Sequence, residues 1–94
     1  MRSTVDLTLQ QSERPFALPG SGTRSLLLRF GEVTYGGELI SASDDDFEPG
    51  SDHRNATLDL WEADSATVVV GAEFVVYYGG DVGHGIVRTV PTHA

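Results

Sequence analysis

A chain of 94 residues, 39% of them hydrophobic, supports one domain with a modest core and leaves no room for a second. Its 14 acidic and 6 basic residues, every basic one an arginine, give a formal charge of −8 that repels phosphate backbones and disfavours nucleic acid. No cysteine is present, no apolar run nears the roughly 18 residues that cross a bilayer, and no signal-like apolar stretch follows Met1, so a cytoplasmic protein without membrane contact is expected.

Residues 3–9 alternate, with Val5, Leu7 and Leu9 on one face and Thr4, Asp6 and Thr8 on the other, which predicts a half-buried strand. From 10 to 23, Pro15, Pro19, Gly20 and Gly22 predict a loop, pinned by Phe16 and Leu18. A second strand is expected over 24–30, where Leu26, Leu28 and Phe30 oppose Leu27 and Arg29. Gly31 interrupts it before 32–35, and Gly36-Gly37 predicts a bend or bulge ahead of 38–43. The polar stretch 44–55 reads as an exposed loop.

Residues 56–62 form the next expected strand, with Leu58 and Leu60 inward and Thr57 and Asp59 outward. After a turn at Asp64 and Ser65, 67–70 leads into a hairpin of 72–78 and 82–90, joined by Gly79-Gly80-Asp81. Gly83 and Gly85 lie inside that last strand, where glycine marks a bend, a bulge or a close backbone approach. The tail 91–94 begins with Pro91 and is expected to fray. No stretch of ten residues has a helical period, so the pattern of six or seven short strands predicts an all-β barrel or sandwich.

The chemistry-bearing residues form no established motif. Asp44, Asp45, Asp46, Glu48 and Asp52 could offer oxygen ligands to a hard cation, but Gly50 and the closing glutamate are misplaced for a calcium loop, so a solvated loop is expected. Of His53, His84 and His93, His84 is the one expected to be held rigidly, by packing. Gly20-Ser21-Gly22-Thr23 lacks the helix that completes a phosphate cradle, and no nucleophile elbow places Ser, His and Asp together. The Asn55-Ala56-Thr57 sequon matters only in a secreted protein. Trp61, Tyr77 and Tyr78 remain. Period two sends Tyr77 and Tyr78 to opposite faces, so one is expected to be exposed as an interaction anchor or to pack at a barrel edge. No catalytic residue, cofactor or metal is assigned.

The closing hairpin resembles that of the third, C-terminal domain of elongation factor Tu and related translational GTPases. The matching residues are Gly71, Phe74, Gly79-Gly80 and Val82-Gly83-His84-Gly85-Ile86-Val87, with a turn about one residue shorter. Upstream, Arg14-Pro15-Phe16, Arg24, Glu32-Val33-Thr34 and Pro49-Gly50-Ser51 follow in the family's order, so the resemblance spans nearly the whole chain. It implies a small six-stranded antiparallel, Greek-key-like β-barrel. In the full factor that domain packs on the GTPase domain and touches the T stem of aminoacyl-tRNA. Arg24 and Thr34 match tRNA-facing positions, whereas Leu26 takes the place of a polar residue, Glu62 that of a basic residue or histidine, and Tyr78 that of an acidic one. No phosphate-binding Gly-x-x-x-x-Gly-Lys-Ser/Thr loop occurs, so GTP hydrolysis is excluded.

The expectation is therefore a non-enzymatic protein-interaction module. Its candidate contact residues are Arg24, Thr34, Asp44, Asp45, Asp46, Glu48, Asp52, Tyr78 and His84, with an unidentified protein partner or a homodimer both open. A tRNA or RNA binder needs Arg14, Arg24, Arg29, Arg54 and Arg88 on one face. A small hydrolase or metal enzyme needs a pocket in which His84 meets an acid or a metal.

Overall fold

The computed structural model describes residues 2–11, 23–43, 45–63, 66–78 and 80–90, the side chains of 23–25 excepted. Arg14-Pro15-Phe16, Asp44, Gly79, the tail 91–94 and the side chain of Arg24 thus lie outside the described residues. Six strands form: β1 (Arg2–Leu9), β2 (Thr23–Phe30), β3 (Val33–Ile40), β4 (Asp52–Leu60), β5 (Glu73–Tyr77) and β6 (Asp81–Thr89). They pair antiparallel in the order β1-β4-β3-β2-β5-β6, and β6 returns to β1 to close a barrel. Closure excludes the sandwich. β2, β3 and β4 are joined in sequence, and β1 lies beside β4, which is a Greek-key arrangement.

The alternation in the sequence sets which side chains enter the barrel. Val5, Leu7 and Leu9 of β1 meet Leu26 and Leu28 of β2, Leu39 of β3, Leu58 and Leu60 of β4, and Phe74, Val76 and Val87 of the closing hairpin in one buried cluster. A six-stranded barrel is narrow enough for such side chains to fill it. Among the described residues the buried polar ones are Ser3 and Ser41, and no charged residue is buried. The expected close approach occurs at β6. A Cβ on Gly83 would lie 2.7 Å from the Thr8 carbonyl oxygen, and one on Gly85 2.6 Å from that of Asp6 and 2.6 Å from Phe74 Cζ.

Several boundaries differ from the sequence expectation. β3 runs unbroken through Gly36-Gly37, because Gly37 faces inward where a Cβ would sit 2.8 Å from the Asp59 carbonyl oxygen; the pair lets two strands approach. Residues 66–71 form turns and a bend, and Val68 alone of that stretch enters the core. Asp52, His53, Arg54 and Asn55 belong to β4 rather than to an exposed loop. They hide from a period-two reading because a bulge interrupts it. Val5 pairs with Ala56 and Leu7 with His53, so Arg54 and Asn55 together face Asp6. Asn55 takes the extra turn at φ 56°, a conformation that asparagine tolerates better than most residues.

The acidic stretch is a cap on one barrel end rather than a fully solvated loop. Its carboxylates at Asp45, Asp46 and Glu48 are exposed, but Phe47 between them is 0% exposed and joins the core. The Leu9 N–H donates to the Ser51 carbonyl (2.8 Å), and the Gly50 N–H donates to that of Gln10 (3.1 Å), tying the segment to the end of β1. Phe47→Ala should therefore cost about 3–5 kcal/mol in urea unfolding, as truncating a core phenylalanine does. A cost below about 0.5 kcal/mol would return the segment to the exposed class.

Candidate interaction surface

With the interior filled, the chemistry lies on the outer wall and the capped end. Following the pairing register around the wall, Thr34 lies opposite Arg29, Arg29 opposite Val75, Val75 opposite His84, His84 opposite Thr8, and Thr8 opposite Asp52. That belt runs once around the barrel: it brings Asp52 and His84, far apart in sequence, to one side with Thr8 between them, and leaves Thr34 three strands away from His84. His84 is exposed there, which corrects the expectation that packing holds it. In a tightly closed barrel the inward positions beside it are the two glycines, and the outward position goes to the imidazole.

His53 takes the packed role instead. The bulge turns it inward, where it is half-buried with its ring centroid 4.4 Å from that of Phe47. Its Nε2 lies 3.0 Å from Ser51 Oγ, a serine–histidine contact that the sequence reading missed. The single hydroxyl hydrogen of Ser51 is committed to the Glu48 carbonyl at 2.6 Å. His53 Nε2–H therefore donates to the serine. That is the reverse of a histidine base taking a proton from a nucleophile. Ser51 and His53 hold the cap; Asp45 likewise accepts from Ser43 Oγ at 2.9 Å. No group of three or more metal-ligating side chains occurs among the described residues.

Across part of the belt, a groove of about 1010 Å³ is lined by residues that include Asp6, Arg29, Asp52, Arg54, Glu73, His84 and Arg88. Three arginines that RNA binding would need thus share one surface, yet carboxylates stand among them. Asp6 organises the groove. Its Oδ1 accepts the Asn55 N–H at the bulge (3.0 Å), and its Oδ2 accepts Arg88 Nε–H (2.7 Å). Both bonds favour the charged carboxylate, the backbone one most, and hold Asp6 below the usual aspartate range. Arg29 similarly reaches Asp81 at 3.5 Å.

Two residues along β3, β2 and β5 from Thr34, Arg29 and Val75, the surface turns apolar. The Trp61 N–H donates to the Gly36 carbonyl, Gly36 pairs with Leu27, and Leu27 pairs with Tyr77. Trp61, Leu27 and Tyr77 are 48%, 42% and 41% exposed. The indole lies over Gly36, where a Cβ would meet its Cε3 at 3.1 Å, so glycine supplies a floor for the ring. Tyr78 is 50% exposed as well, because β5 has ended and alternation no longer turns it inward. Both tyrosines, not one, face solvent. Leu27 was visible in the sequence as the off-phase apolar residue of β2, the signal that this row offers.

No protein-family model matches the chain, and no curated protein matches it.

The lowered Asp6 value has a defined sign. Stability from its two bonds is present above the ordinary carboxylate range and is lost as pH falls through the lowered value. Asp6→Asn keeps an acceptor for the bulge but removes the charge. It should flatten the decline in urea midpoint below about pH 4 relative to the parent chain. Superimposable acid limbs for the two proteins would contradict the assignment.

Proposed function

We propose that this chain is a non-enzymatic protein-interaction module built on a barrel resembling the third domain of elongation factor Tu, working in the cytoplasm. One observation carries the reading: the exposed row of Trp61, Leu27 and Tyr77 crosses a rigid sheet whose other face is fully packed. Tryptophan and tyrosine are the residue types that dominate binding energy at protein interfaces. Anchors mounted on strands lose little freedom on docking, which favours affinity. The inverted serine–histidine contact and the filled interior support an interaction role over a hydrolytic one.

Affinity capture from the cell of origin tests the reading. The parent chain should retain a defined protein, and a Trp61→Ser, Leu27→Ser double variant that still folds should lose it. A parent chain that retains no protein and does not self-associate would refute the reading. RNA binding is the second reading, favoured by Arg29, Arg54 and Arg88 around one groove. With carboxylates interleaved and −8 overall, deacylated tRNA should show no saturable filter binding near 0.1 M salt. Saturable binding that weakens in Arg54→Ala would favour RNA instead.

A further inference from the structure

The apolar row repeats at a defined interval. Gly36 pairs with Leu27 and Leu27 with Tyr77, so β3, β2 and β5 lie side by side beneath it. The Trp61 indole sits over Gly36, and the bond from the Trp61 N–H to the Gly36 carbonyl (2.9 Å) fixes its backbone there. The indole and Tyr77 thus stand two strand spacings apart, about 9.6 Å, with Leu27 between them. On β2, Leu26 and Leu28 are 0% exposed, so Leu27 is the leucine of that run turned outward. The surface is two aromatic rings with an aliphatic floor between them.

We propose that the Trp61–Leu27–Tyr77 row binds a proline-rich segment of a partner protein in the polyproline II conformation. This proposal rests on the interaction-module reading and names the partner's chemistry. Spacing, ring chemistry and area each select this occupant. A polyproline II chain advances about 3.1 Å per residue with three residues per turn, so prolines three apart recur about every 9.3 Å along one edge. A helical turn, about 5.4 Å, and the two-residue repeat of a strand, about 6.6 Å, both fall short of the interval. Aromatic faces receive the pyrrolidine rings. The carbonyls of such a chain have no internal partner, so they can accept from the indole N–H and the phenol O–H. Exposures of 48%, 42% and 41%, on side chains of about 150–250 Å² each, leave roughly 200–300 Å² for the row. A stable dimer buries about 800 Å² on each partner, which is more than this row offers a second copy. A short segment already extended in solution loses little freedom on docking and needs no larger surface.

Trp61 is the sole tryptophan of the chain and so reports directly on the row. The test uses three uncharged synthetic peptides of equal length, without Trp or Tyr and with Leu and Gln at the remaining positions. One has proline at every third position, one has proline at every fourth, and one has alanine in place of each proline of the first. The first should shift Trp61 emission to the blue and bind about tenfold tighter than the alanine peptide, because its conformation is set before it docks. Proline at every fourth position turns successive rings off one edge, so that peptide should bind at least fivefold more weakly than the first. Leu27→Ser and Tyr77→Ala should each weaken binding of the first peptide at least fivefold, with the fold retained by circular dichroism.

Equal or tighter binding of either control peptide would overturn the proposal. So would no binding of the first peptide up to about 1 mM, or binding that leaves Trp61 emission unchanged. Sedimentation showing a dimer that Leu27→Ser dissolves would also overturn it, since a second copy would then own the row. If capture still yields a partner while the peptides fail, the proline-rich inference alone falls. If capture yields none, the interaction reading falls and this inference with it.

Discussion

The seam between β6 and β1 is the constraint on which the rest of the barrel depends. Strand β6 must lie against β1 on one side and β5 on the other while the barrel stays only six strands around. At that curvature Gly83 and Gly85 give up their side chains, and the space goes to the Leu9 side chain, the Phe74 ring and the backbone of β1. Side chains at these two positions would force β6 away from its neighbours, opening the wall and wetting the core. The two glycines that mark a bend, a bulge or a close approach in the sequence are the condition for closure.

Closure determines where function can reside. Among the described residues every strand sends apolar side chains into the interior, and polar chemistry is left to the wall and the capped end. The same closure brings together residues that are distant in sequence, so Asp52, Thr8 and His84 become neighbours. One irregularity tunes this surface. The Asn55 bulge, held by Asp6, turns His53 inward onto Phe47 and leaves Arg54 facing the groove. A regular strand would have reversed those positions.

Strand identity was legible wherever side chains alternate, as at Val5-Asp6-Leu7 and Leu58-Asp59-Leu60, because period two records which face is dry. Alternation left a barrel and a sandwich open, and six-stranded closure was expected only from a resemblance in the order of motifs. The start of β4 was illegible because the bulge breaks the period within a run of polar residues. Phe47 was hidden by its acidic neighbours, although one large apolar residue in such a stretch is itself a signal of docking. At the surface, Tyr78 and Trp61 were identifiable by type. The row that Trp61 forms with Leu27 and Tyr77 was not, since it exists only once β4, β3, β2 and β5 are placed side by side.

Hydrogen–deuterium exchange of the chain with its captured partner tests the outer-wall assignment most directly, because exchange reports burial peptide by peptide. An interface on the apolar row predicts added protection in segments containing Leu27, Gly36, Trp61 and Tyr77, with the Asp6–His84 groove and the Phe47 cap unchanged. Protection centred on that groove or cap, with the row exchanging as in the free protein, would contradict it.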